Sequence, residues 1–311
     1  MKKISVVLGA MLLGGFVSAC GEEEQQTGDG PIKVVATTSQ IGDSVSQIGG
    51  DLVEVTSLMG PGVDPHSYQA TQNDINALQN ADIVFYNGLH LEGKMDEIFE
   101  QISASKPVLA LGESLDEEHL LADSENSNVV DPHIWFDVHL WKEALENATH
   151  ELAELLPAEV ETLENQQEEY FADLDRLITE SEDLMEKIGE EKRVLITAHD
   201  AFGYFGRMHD LEVIGLQGLS TEDEIGLNEI QQTVTLLVDR KIPSVFVESS
   251  ISDRSIQAVI QGAEQSGHEV EMGGELYSDA MGEEGTEEGT YIGMYLHNVK
   301  TISEALNEDG E

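Results

Sequence analysis

One cysteine, 7 prolines, 5% aromatic residues and 15 basic residues against 62 acidic ones are the scarcities of this 311-residue chain. With Cys20 alone, no internal disulfide can form. The shortage of Lys and Arg leaves a formal charge of -47. Such a surface repels nucleic acid and anionic lipid, and both classes of partner are set aside. The acid surplus attracts cations weakly everywhere and keeps a chain soluble at high salt, but it defines no site. Catalytic signatures are missing too. No P-loop or nucleophile elbow appears, and the nearest approach to the zincin pattern HExxH, HELAE at 150–154, lacks the second histidine. Hydrophobic residues still make up 40% of the chain, enough to fill real cores.

What is present begins at the N-terminus. MKKISVVLGAMLLGGFVSAC places two lysines before an apolar stretch from Ile4 to Val17, then small residues before Cys20. That layout is a secretory signal peptide over 1–19, too short to read as a spanning helix. V-S-A-C resembles a bacterial lipobox, which makes Cys20 the lipidated residue. The polar, Gly-rich residues 20–31 then read as a flexible tether. The expectation is an exported protein, lipid-anchored on the outer face of the cell membrane or in the periplasm.

From residue 32 short β-rich runs alternate with helical segments, which predicts an α/β fold of βαβ units around mostly parallel sheets. Strands are expected at 32–37, 53–58 and 82–86, with helices at 72–80 and 93–104. A second series starts at Arg193: RVLITAHD, a helix near 201–209, EVIGLQ, a helix over 222–240, SVFVESS and a helix over 253–266. Between the series, Val160, Leu163, Gln167, Tyr170, Leu174, Leu177, Ser181, Leu184 and Ile188 recur at 3,4 spacing along one stripe. The expected organisation is a first lobe over 32–157, one connecting helix over 158–188 and a second lobe over 189–311.

Of the ten histidines, His90, His119, His150, His209 and His268 occupy polar or helical contexts that favour the surface. His139 has no motif of its own, and His297 fits a C-terminal helix. His66 and His133 differ, because each follows an Asp-Pro pair. Proline restricts the approach to the ring, and Asp64 or Asp131 can orient it as an outer partner of a metal ligand. His199 ends an apolar strand, the place where open α/β sheets build ligand sites, with Asp200 beside it as a further outer partner. Asp279 lies in LYSDAMG, in a loop after a strand. Imidazoles with a carboxylate suit Zn²⁺, Mn²⁺ or Fe²⁺. Spacing alone does not join residues so far apart.

The motifs GPGVDPHSYQATQNDI (60–75), DPHIWFD (131–137), TAHDAFGYF (197–205), GLSTEDE (218–224), ELYSDAMG (275–282) and TYIGMYLHNV (290–299) do join them. Together they resemble the metal-binding lipoproteins of ABC transporters that import zinc or manganese, the cluster A-I substrate-binding proteins. The resemblance implies two α/β lobes joined by one long helix, with a single metal ion in the cleft held by His66, His133, His199 and Asp279. It also implies delivery of that ion to an ABC permease by a monomer. Some manganese members carry Glu in place of His199, so the histidine favours zinc, with manganese as the alternative. The acidic region before DPHIWFD holds His119 alone, where many zinc-specific members have a His-rich loop. Val138 also replaces a common proline. A zinc-dependent metallohydrolase, the rival class, would need an open coordination position and a general base. A surface adhesin is the third class, and no residue pattern points to its partner.

Overall fold

The computed structural model describes residues 30–123, 128–223 and 225–307. The signal segment, Cys20 and the tether up to residue 29 lie outside the described residues. In the first half, β1 (Ile32–Ala36), β2 (Val53–Ser57), β3 (Ile83–Tyr86) and β4 (Val108–Ala110) form one parallel sheet in the order β2-β1-β3-β4. Helices α1 (Ser39–Gly49), α2 (Gln72–Asn80) and α3 (Asp96–Ser103) connect the strands. The start of α2 is set locally. Thr71 Oγ1 accepts from Asp74 N while Asp74 Oδ2 accepts from Thr71 N, a reciprocal cap written in the sequence as TQND.

After α4 (Val138–Leu155), the predicted connecting helix forms as α5 (Val160–Met185). Its 26 residues span about 39 Å at the rise of an α-helix. Leu163, Tyr170, Leu174, Leu177 and Ser181 of the expected stripe are buried, against α1 and α4 on one side of the sequence and α9 (Tyr291–Asn307) on the other. A single stiff rod therefore touches both halves.

The second half runs β5 (Val194–His199), α6 (Gly203–His209), β6 (Glu212–Gln217), α7 (Leu227–Arg240), β7 (Ser244–Glu248), α8 (Arg254–Gln265) and β8 (Glu271–Leu276) before α9. β5 pairs with β6 and β7 with β8, all parallel, and β5 lies beside β7. Every residue of β5 (VLITAH) is buried, as its mainly apolar run requires of a central strand. One expectation is corrected here: α7 begins at Leu227, not at 222, behind Gly226 at its N-cap. Gln217 Nε2 donates to the carbonyls of Thr221 and Asp223, so the preceding segment is folded into a turn instead of a helix.

The largest apolar cluster draws on both halves. Phe136 stacks on Phe202 at 4.5 Å between ring centroids, and Trp135, Trp141, Phe205, Tyr291 and Tyr295 are fully buried around them. Tyrosines add directed contacts. Tyr204 Oη donates to Asp131 O at 3.0 Å, Tyr291 Oη to Trp135 O at 2.6 Å and Tyr295 Oη to Phe136 O at 3.1 Å. The segment carrying His133 is thus fastened along its backbone to the second half, and buried hydrogen bonds of this kind are costly to break.

Candidate metal centre

Four side chains from four segments converge. His66 sits in the turn between β2 and α2, and His133 directly precedes the 3-10 turn Ile134–Phe136. His199 is the last residue of β5, and Asp279 follows β8. One ligand atom from each lies within 4.8 Å of the others. His133 Nε2 is 3.5 Å and His66 Nε2 4.0 Å from Asp279 Oδ1, and His199 Nε2 is 3.4 Å from Asp279 Oδ2. All three Nε2 atoms and both Asp279 oxygens are buried without a hydrogen-bond partner. Buried polar atoms are normally paired, so five orphans facing one point call for a ligand.

The spacing suits a cation. Zn–N bonds of about 2.0–2.1 Å in a tetrahedral shell put donor atoms ~3.3–3.4 Å apart. The separations at His133 and His199 lie close to that, and His66 stands somewhat further out. His133 and His199 are fully buried, whereas His66 reaches a cleft of about 580 Å³ that Pro132, Asp200, Leu219 and Ser220 also line. The way in is on the His66 side.

Each ring is held by its other nitrogen or by its backbone. Asp131 Oδ1 accepts from His133 N at 2.9 Å and meets His133 Nδ1 at 2.7 Å. Gly203 lets α6 pass close to this carboxylate, since a Cβ there would stand 2.7 Å from Asp131 Oδ2. Asp64 Oδ1 accepts from His66 N at 2.9 Å, but its second oxygen turns to Ser67 and Thr221. For His199 the partner is Glu248, the last residue of β7. Its Oε1 accepts from His199 N at 2.9 Å and its Oε2 lies 2.6 Å from Nδ1. Asp200, the expected partner, instead lines the cleft. Glu248 went unread in the sequence, although a lone acid closing the apolar strand SVFVE is the available signal. Trp135 Nε1 donates to Ser278 O at 3.1 Å and so ties the His133 segment to the loop of Asp279.

These surroundings set the charges. Burial holds the His66 ring down to about 4. Burial also opposes a proton on His133, yet Asp131 and Asp279 outweigh it and lift that ring to about 9. The same competition raises His199, with burial overcome by Glu248 and Asp279. Burial would raise Asp279, but the three rings keep it well below the usual carboxylate range. Burial and the nearby Asp131 push Asp200 up to about 6. Asp279 between the rings, with Asp131 and Glu248 behind two of them, makes an anionic surround suited to a cation.

Other histidines fall away from it. His90, His119, His139 and His150 are exposed. His209 corrects the surface expectation: it is buried at the end of α6, with Nε2 3.0 Å from Tyr295 Oη. His297 packs on Tyr277 and meets Glu275 O. A second cluster, Asp116, His119 and Glu143, lies at the surface, where His119 Nδ1 is 3.4 Å from Glu143 Oε2.

Residues 34–305 match the family described as zinc-uptake complex component A, periplasmic. The chain is 45% identical over 302 residues to the manganese-binding lipoprotein MntA of Bacillus subtilis, covering 96% of this chain and 98% of that one. It is 42% identical over 300 residues to the zinc-binding protein TroA of Treponema pallidum, covering 96% of each. The solved structure of periplasmic zinc-binding TroA from Treponema pallidum superposes with a TM-score of 0.86, over 90% of this chain and 100% of that one at 43% identity.

Proposed function

This chain belongs to the family of periplasmic zinc-uptake complex component A, and from that premise we propose that it captures one divalent transition-metal ion outside the cytoplasm and hands it to an ABC permease. The observation that carries the reading is the convergence of three unpartnered imidazole nitrogens and the Asp279 carboxylate. His66, His133, His199 and Asp279 are the ligands, and the ion is cargo instead of a catalyst. Four protein groups close the first shell and leave no position for an activated water, which separates the site from a metallohydrolase.

Zinc is the favoured cargo. Three imidazoles and a carboxylate are borderline ligands, and such a site holds zinc more tightly than manganese. Manganese is the second reading, favoured by one observation: both oxygens of Asp279 are unpartnered and offer bidentate coordination. The working protein is a monomer anchored through a lipid on Cys20, a residue outside the described part of the chain. Among the described residues no helix is long and apolar enough to cross a membrane.

The test is calorimetric titration with Zn²⁺ and Mn²⁺ alongside elemental analysis of the loaded protein. One ion per chain is expected. Alanine at His133, His199 or Asp279 should cost more than the ~10–100-fold that an orienting partner carries. Undiminished affinity in those variants would sink the assignment.

A further inference from the structure

The motif GLSTEDE belongs to the second half, yet its turn reaches the loop of His66 in the first. Thr221 Oγ1 donates to Asp64 Oδ2 at 2.7 Å, and Lys94 Nζ donates to Glu222 Oε1 at 2.5 Å. Asp64 is already engaged: its Oδ1 accepts from His66 N and its Oδ2 from Ser67 Oγ. One carboxylate therefore fixes the backbone of a candidate metal ligand and receives a hydroxyl from across the cleft. The turn is braced from its own side by Gln217, whose amide donates to the carbonyls of Thr221 and Asp223 at 2.6 Å each. Gln217 is the parallel-sheet partner of His199. A chain of contacts runs from His199 through Gln217 to Thr221, then through Asp64 to His66. It closes a ring between ligand-bearing segments of the two halves.

Its place on the cleft gives this ring a consequence. His66 is the ligand that faces the cleft, and Gly218, Leu219 and Ser220 line the same opening. We infer that Thr221 is a positioning residue whose hydroxyl, through Asp64, holds His66 closed over the ion and sets how slowly the ion leaves. The inference rests on the metal-site reading above. A hydrogen bond to a carboxylate is among the stronger kinds, and this one closes the loop at the exit. Lys94 and Glu222 add a second tie whose side chains are more open to water, so it is screened by salt and contributes less.

The experiment uses the full chain loaded with Zn²⁺ and mixed with excess fluorescent chelator, so that the appearance of the chelate reads the release rate. Thr221→Val keeps the shape and removes the donor. It is expected to speed release about tenfold or more, the size of a lost hydrogen bond to a charged acceptor. Thr221→Ser restores the hydroxyl and should release at the wild-type rate. Release from Thr221→Val at the wild-type rate overturns the inference alone. Equal acceleration in Thr221→Val and Thr221→Ser also overturns it, because packing of the methyl group and not the hydroxyl would then be responsible. Wild-type protein that holds no Zn²⁺ overturns the metal-site reading and this inference together.

Discussion

The tripeptide Asp-Pro-His occurs at 64–66 and again at 131–133, and the two copies begin alike. In each, the aspartate Oδ1 accepts from the histidine backbone N at 2.9 Å, a local bond that spans two residues. Beyond that bond they diverge. Asp131 reaches the ring of His133 as well, whereas Asp64 turns its second oxygen outward to Thr221. Asp131 and Asp279 lift His133 to about 9 against the cost of burial, while burial takes His66 down to about 4. The same three residues therefore build one deep candidate ligand whose ring favours the charged form and one at the mouth whose ring favours the neutral form. Local sequence fixes the turn; the surrounding fold decides what the ring does.

The largest consequence is in pH. His133 must lose its proton to bind, so below about 9 its contribution to affinity should fall ~tenfold per pH unit. Between pH 8 and pH 6 that amounts to about a hundredfold from His133 alone, and His199, raised in the same way, makes the fall steeper still, with proton release on binding detectable by titration in buffers of different ionisation enthalpy. His66, neutral across that range, adds little to the slope. A flat affinity over those two units would remove the distinction between the copies. Metal-free protein should show the same contrast in stability. His133, raised from 6.5 to about 9, contributes stability that is complete below 6.5 and lost as pH rises through 9. His66, lowered from 6.5 to about 4, contributes stability that is complete above 6.5 and lost as pH falls through 4.

Next in size is exchange of the orienting acids. Asp131→Asn keeps an acceptor for the backbone but removes the charge facing the ring. It should lower the proton affinity of His133 and weaken metal binding by ~10–100-fold. Glu248→Gln should act on His199 to a similar extent. Asp64→Asn should leave the protonation of His66 nearly as it is, since that carboxylate is the weakest of the charges acting on the ring. Nuclear magnetic resonance titration of the ring protons in each variant, set beside calorimetry, reads both halves of this expectation. Equal movement of His66 and His133 in their respective variants would contradict it.

The contrast also explains what could be read in advance. The α/β alternation and the 3,4 stripe of α5 are local periodicities, and they appear with small changes at the ends. The two Asp-Pro-His turns were legible for the same reason. Joining them to His199 and Asp279 required resemblance to a family, because the link is tertiary: β5 ends beside β7, and the loop after β8 faces both. Glu248 escaped because its role exists only through that adjacency, 49 residues from His199. Nothing near His209 in sequence announces Tyr295, 86 residues away, as the partner it meets in the interior. The start of α7 moved because the turn before it serves the cleft, where the side chain of Gln217 captures its carbonyls.

The smallest expected effect concerns His119, which shares a ligand-like grouping with Asp116 and Glu143 but none of the surroundings of His133. Its ring is about half exposed and so is much of Glu143, so water already satisfies the donors that a metal would have to win. The ring of His133 is sealed, and its Nε2 makes no hydrogen bond, with Asp279 Oδ1 3.5 Å away. A buried orphan gains the whole of a new coordinate bond, whereas an exposed pair gains only the difference from water. His119→Ala should therefore leave the stoichiometry at one ion and the affinity within about twofold, because exposed charge pairs carry little. A second equivalent of Zn²⁺ bound by the wild type and lost in His119→Ala would show that three donors within reach suffice without burial. The difference between the two Asp-Pro-His copies would then also have to be sought outside their surroundings.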